Sequence, residues 1–162
     1  MALQNIQDLF IRELSDLHSA EQQILEALPK MEKAAQSNLL RDAFRRHHAQ
    51  TEVHRDRLDE VFQLLKAKPS GEKCKGMAGL LAEGETLLKE APSEILDVAL
   101  IGAAQRVEHY EMAGYGCART YARMIGLNEG VRLLQQTLDE EGQTDHSLTG
   151  LAESTINPRV TA

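Results

Sequence analysis

The sequence predicts an all-α fold, a four-helix bundle with a short extra helix in the crossover between helices two and three. Three observations predict it. Aromatic residues make up only 4% of the 162 residues and tryptophan is absent, while Leu, Ala, Glu, Gln, Lys and Arg dominate, which favours helix over strand. Four segments repeat apolar residues at spacings of three and four, the period of one helix face. Each of those stripes is interrupted near its middle by side chains able to carry charge or bind metal.

Asn5 is placed to cap a first helix in which Ile6, Leu9, Phe10, Leu14 and Leu17 lead into Glu21, running to about Gln36. Pro29 lies inside that pattern, and because Leu28 and Met31 keep the period, a bend after Glu26 is expected rather than a break. Ser37-Asn38 then caps a second helix, about Leu39 to Lys66, whose short connection makes it an antiparallel neighbour of the first. Residues 67–72 read as a turn, and Lys75 to about Glu90 as a short crossover helix despite its glycines. Ala91-Pro92-Ser93 stops it and starts a third long helix to about Ile125; Gly126-Leu127-Asn128 is the next break, and the fourth helix runs from about Glu129 to Ser154. Residues 1–156 are expected to form one bundle domain, with 157–162 as a flexible tail. A single long connection, between helices two and three, lets those helices run parallel, the connectivity of ferritin-like bundles.

The interrupted stripes point to chemistry. In the fourth helix Val131, Leu134, Leu138, Glu141, Asp145, Leu148 and Ala152 share a face, so Glu141 and Asp145 point where a core should be. The first helix carries Leu14, Leu17, Glu21, Ile24 and Leu28. The second carries Phe44, His47, Thr51, His54 and Leu58, with Gln50 beside them; the third long helix carries Ile101, Glu108, Glu111 and Tyr115. A buried carboxylate without a partner costs several kcal/mol or protonates, so the acids need partner side chains or a cation. Glu21, Gln50, His54, Glu108, Glu111, Glu141 and Asp145 are therefore the candidate metal ligands, with His18 and His47 as supporting partners or spare ligands. A carboxylate-rich set with some imidazole suits iron or manganese, as one ion or two. Tyr110 and Tyr115 read as packing residues, and His48, His109 and His146 as exposed or at an interface.

The stretches LSDLHSAEQQIL around Glu21, HxxxTxxxxxRL from His47 to Leu58, KCKGMAGLLAEG around Cys74, ALIGAAQRVEHYEMAGYG around Glu108 and Glu111, and LDEEGQTDHSLTGLA around Glu141 and Asp145 resemble the YciF-like stress-associated proteins of the ferritin-like superfamily. The resemblance implies a dimeric helical stress protein with a dinuclear metal centre. It also marks a departure. Such proteins usually carry glutamate at the position of Gln50 and glutamine at that of His54, and the superfamily's Glu-x-x-His is missing because Val53 and Thr144 stand in place of its histidines.

Two functions follow as expectations: a redox protein acting on Fe(II) or peroxide, or a non-catalytic dimeric stress protein that binds little or no metal and acts through a protein partner. A mineral-storing cage is the poorer option. A homodimer is expected because Leu80, Leu81, Leu87 and Leu88 in the crossover offer more apolar surface than one bundle covers. The formal net charge of −7 argues against nucleic acid and anionic membranes. The start Met1-Ala2-Leu3-Gln4-Asn5 lacks the basic and apolar regions of a secretory leader and no apolar run approaches a membrane span, so a cytoplasmic location is expected. Cys74 and Cys117 are expected as reduced thiols, Cys74 partly buried and inert.

Overall fold

A computed structural model describes residues 3–160, so Met1 and Ala2, part of the reading against a leader, lie outside the described residues. Among the described residues there are five substantial helices and no strand: α1 (Ile6–Ala34), α2 (Asn38–Leu65), α3 (Lys75–Glu90), α4 (Ser93–Met124) and α5 (Asn128–Leu151). A wider π-type turn over Ala152–Ile156 follows and leads into a short α6 (Asn157–Val160). The segment expected as a flexible tail is thus helical as far as Val160, and residues 161 and 162 lie outside the described residues.

Local chemistry accounts for most boundaries. The Asn5 Oδ1 accepts a hydrogen bond from Asp8 N at 2.9 Å and satisfies one of the free amides at the start of α1. Pro29 sits inside α1 without ending it. Ser37 precedes α2, but its hydroxyl makes no capping bond. The Asp97 carboxylate of α4 instead holds the connection just before it, accepting from Gln36 N and Ser37 N at 2.8 Å each. The Cys74 sulfur caps α3 by accepting from Met77 N. Gly126, at φ +73°, takes the left-handed conformation that closes α4, where a side chain would be strained.

The helices form a bundle in which α1 neighbours α2 and α4, and α5 neighbours α2 and α4. The end of α1 meets the start of α4 through Asp97, while Leu17 meets Gly114 near the other end, so α1 and α4 are antiparallel. On the opposite side Arg57 touches Glu140 and His47 touches Thr144, so α2 and α5 are antiparallel as well. Since α1 and α2 form a hairpin, α2 and α4 run parallel across the diagonal. The connection carrying α3 is the long crossover that this requires.

Two apolar clusters fill the bundle. One, at the end where α3 docks, includes Ile24, Leu28, Phe44, Met77 and Leu148; the other includes Phe10, Leu14, Leu58, Phe62 and Leu134. Leu80, Leu81 and Leu88, expected to seek a second copy, are partly covered by packing on the first cluster of their own chain. No helix of the described residues is long and apolar enough to cross a membrane.

Candidate metal centre

Between the two apolar clusters lies a polar layer. The stripes of α1, α2 and α4 bury as their spacing predicts, so Glu21, His47, His54, Glu108 and Glu111 are all under 5% exposed, and Glu141 of α5 joins them at 0%. The α5 stripe runs half a step to one side of the expected line, through Leu134, Thr137, Glu141 and Leu148. One turn beyond Glu141 it falls between Thr144 and Asp145, and both are half-buried. Asp145 consequently lies at the margin, accepting from Gln105 Nε2 at 3.0 Å and lying 3.3 Å from His109.

The six buried groups form two overlapping sets that can hold a cation, with ligand atoms within 4.8 Å of one another: His47, Glu108, Glu111 and Glu141 in one, Glu21, His54 and Glu141 in the other. Glu141 belongs to both. His47 Nε2 lies 3.2 Å from Glu108 Oε1, and His54 Nδ1 lies 2.8 Å from Glu141 Oε1 and 3.8 Å from Glu21 Oε1. These are ion-pair contacts, and neither imidazole nitrogen has an aligned hydrogen-bond partner among the described residues. Glu21 Oε2, Glu108 Oε2, both oxygens of Glu111 and both of Glu141 also lack partners. Buried polar atoms are normally satisfied, and eight orphans converging on one volume are what a donor set for cations presents. The carboxylate and imidazole composition fits iron or manganese.

Electrostatics give the same picture. Burial, reinforced by the neighbouring Glu141 carboxylate, pushes Glu21 up to about 8. Burial also pushes Glu108 up to about 8 and raises Glu111 well above the ordinary carboxylate range. For His54 burial opposes the charge, but Glu141, Glu21 and Glu140 outweigh it and raise the imidazole to about 9; His47, where burial prevails, is lowered. Four carboxyls against two imidazoles leave an excess of negative charge, so without a cation the layer must take up protons.

His18 and Gln50 lie around these two sets. His18 lies 3.1 Å from Asp59 Oδ1 and edge-on to Phe62. Gln50 is half-buried and lines a cavity of about 440 Å³ between α2 and α5, with Arg46, Ser147, His47 and Glu108, which leads from the surface to the layer. Three contributions escaped the sequence. The hydroxyl of Tyr115, read as packing, donates to Glu21 Oε1. Glu140 accepts from His54 Nε2 at 2.8 Å, and Arg57 grips both oxygens of Glu140 at 2.7 and 3.0 Å. The adjacent acids in LDEE were the available signal, since one of them must leave the stripe.

Away from this layer, Cys74 and Cys117 are free thiols, the first buried and the second exposed. Cys74 contacts the Tyr110 hydroxyl and the Asp16 carboxylate, both at 3.1 Å, and burial raises its pKa, which fits an inert thiol.

Residues 5–161 match the family described as a domain of unknown function, DUF892. The chain belongs to this family. It is 40% identical over 163 residues to Protein YciF of Escherichia coli strain K12, covering 98% of this chain and 97% of that protein. The crystal structure of the E. coli stress protein YciF matches with a TM-score of 0.92 at 39% identity, over 96% of this chain and 99% of the other. The YcfI protein of Rhodopseudomonas palustris matches with 0.86 at 39% identity, over 90% and 94%. A protein of Xanthomonas campestris pv. campestris, 15% identical with a TM-score of 0.74 over 93% and 92%, shares the fold alone. The expected YciF-like relationship and ferritin-like bundle are thereby established for this DUF892 chain.

Proposed function

We propose that the protein is a stress-response protein whose bundle core holds one or two iron or manganese ions through Glu21, His47, His54, Glu108, Glu111 and Glu141, and that it acts on Fe(II) or peroxide. The observation that carries this reading is the convergence of eight buried donor atoms, none with an aligned hydrogen bond, from all four bundle helices. Bound ions would supply one-electron redox chemistry. The chain's own part is to fix six donors from four rigid helices, to exclude bulk water with apolar layers on both sides, and to leave one approach beside His47 and Gln50. In this reading Gln50 is a neutral wall of the approach, Asp145 an outlying acid, and His18 a surface partner of Asp59.

Elemental analysis of the protein purified without added metal tests the proposal. Near-stoichiometric iron or manganese, lost together with Fe(II) oxidation or peroxide consumption in Glu141→Gln, is the expected result. Absence of both after reconstitution overturns it.

One observation favours a second reading. The raised carboxyls and the raised His54 let the layer satisfy itself with protons, as a metal-free dimeric protein acting through a partner would need. Either reading includes a homodimer in the cytoplasm. The outer face of α2, where Leu39, Val53 and Leu64 are exposed, supports the dimer, and light scattering checks it.

A further inference from the structure

His54 is the one imidazole of the layer with a fixed partner on its far side. Its Nδ1 faces Glu21 and Glu141, and its Nε2 meets Glu140 Oε2 at 2.8 Å. Glu140 does not belong to either cation set and its side chain is 28% exposed. It is nevertheless held firmly. Arg57, one turn beyond His54 on α2, bonds both of its oxygens and reaches Thr137 Oγ1 at 3.2 Å, one turn before Glu140 on α5. The clamp therefore spans one turn of each helix and returns on itself. A bidentate guanidinium–carboxylate pair is planar and directional, so it fixes the acceptor oxygen in position as well as neutralising its charge. Among the described residues His47 has no such clamp: Thr144 Oγ1 lies 3.5 Å from its Nδ1, and Gln50 is a further hydrogen-bonding neighbour.

An imidazole that keeps one ring hydrogen on a carboxylate has only its other nitrogen to offer a cation, which displaces any proton there and meets the lone pair in a set direction. We propose that Glu140, clamped by Arg57, is a positioning residue that holds the His54 proton on Nε2 and thereby aims Nδ1 as a donor into the Glu21/Glu141 side of the layer. The inference rests on the metal-binding reading for its purpose, but the side of the ring that keeps its proton can be measured without metal.

The arrangement also gives His54 a role that a neutral side chain at this position lacks. Glutamine offers a carbonyl oxygen with no proton to place, whereas a histidine must be told which nitrogen to offer. Glu140 supplies that instruction from outside the layer, and Arg57, bonded to both of its oxygens, holds it in place.

The test is nitrogen NMR of histidine-labelled protein, with Zn(II) as a diamagnetic probe. In the metal-free parent, His54 Nε2 should carry a proton that exchanges slowly with water; with Zn(II), that proton should remain while Nδ1 shows the shift of a metal-bound nitrogen. Glu140→Ala should make the Nε2 proton exchange fast and weaken Zn(II) at this half of the layer by about 10- to 100-fold, with the His47 half unchanged. Glu140→Gln, whose carbonyl oxygen can still accept, should recover the slow proton and part of the affinity. Arg57→Lys should fall between the two, because lysine cannot hold both oxygens. A structural role alone would lower the melting temperature without changing the Nε2 proton. Slow exchange persisting in Glu140→Ala, or a parent with Zn(II) on Nε2, would overturn the inference. If the parent binds no Zn(II), the metal-binding reading fails, and the exchange comparison between metal-free parent and Glu140→Ala still decides this one.

Discussion

The two halves of the polar layer use similar side chains but are supported very differently. On one side, Glu21 takes a hydrogen bond from Tyr115 and His54 is backed by Glu140 and Arg57. On the other, neither oxygen of Glu111 has a hydrogen-bond partner, and His47 lies among Glu108, Glu141, Thr144 and Gln50 with no clamped acid behind it. The first half is pre-organised: its donors keep their places with or without a ligand. The second is compliant, open to the cavity beside Gln50, and its acids gain most from whatever neutralises them. A metal site can thus combine a fixed half that sets position with a loose half that accommodates change.

The largest expected effect tests whether the halves are one site. Glu141 serves both, so Glu141→Gln should abolish binding of Fe(II) or Mn(II) in both halves, read as metal content after gel filtration. Retention of one full equivalent would separate the halves. Next comes Glu111→Leu, which removes an acid with two orphaned oxygens. The raised Glu111 carboxyl is neutral without metal, and a buried polar group left without partners costs about 1–3 kcal/mol, which an apolar group of similar size removes. The metal-free protein should melt higher while losing the metal of the compliant half. A lower melting temperature would mean that Glu111 is satisfied in solution.

A pH series sharpens the comparison through proton storage. Glu21 and Glu108 are raised from 4.5 to about 8, so the folded state binds more protons than the unfolded one, and their stabilisation, complete at acid pH, fades as pH rises through 8. His54, raised from 6.5 to about 9, adds stability that is complete below 6.5 and lost through 9. His47 is lowered and opposes this trend only below its ordinary value of 6.5. Denaturant melts in chelator should therefore show stability falling most steeply between pH 6.5 and 8, where all three raised groups contribute together. Saturating metal, which binds the deprotonated acids, should flatten or reverse the slope. A flat metal-free profile would show that the layer is solvated.

The smallest effect is expected at Gln50→Glu. The position is half-buried on the cavity wall, so an added carboxylate is partly screened. It should tighten the compliant half by no more than about tenfold, roughly 1.4 kcal/mol, in a Mn(II) titration. A gain confined to the His54 half would contradict the placement of Gln50 beside His47.

How far the sequence led differs from helix to helix. The stripes through Glu21, through His47 and His54, and through Glu108 and Glu111 were legible because apolar residues bracket the polar ones at fixed spacing on both sides. In α5 the residues at 130, 133, 134 and 137 dominate the buried face, and Thr137 looks no more apolar than its neighbours. A stripe drawn through Val131 and Leu138 therefore reaches Asp145. Over two turns that half-step moves a carboxylate from the layer to its margin. The roles of Tyr115, Glu140 and Arg57 were invisible for another reason: each depends on a contact between helices far apart in the chain, and periodicity reports only which way a side chain faces. Likewise the entry to α2 reads as closed by the adjacent Ser37-Asn38, whereas the Ser37 hydroxyl makes no capping bond and Asp97 holds the two amides just before the helix.

That Asp97 contact has a consequence at a distance. Parallel and antiparallel helices with smooth apolar faces can slide along one another, and a slip of one helical turn is about 5.4 Å. Such a slip would carry Glu111 a full storey away from Glu21 and dismantle the layer, although every helix stayed intact. The Asp97 carboxylate, bonded to two successive amides of the α1–α2 connection, fixes the height of α4 against the first hairpin. Ser15 and Ser19 do the same for the crossover, accepting from Ser70 N and Cys74 N. Six donors from four helices meet on one floor because such polar fastenings, well removed from them, set the level at which each helix stands.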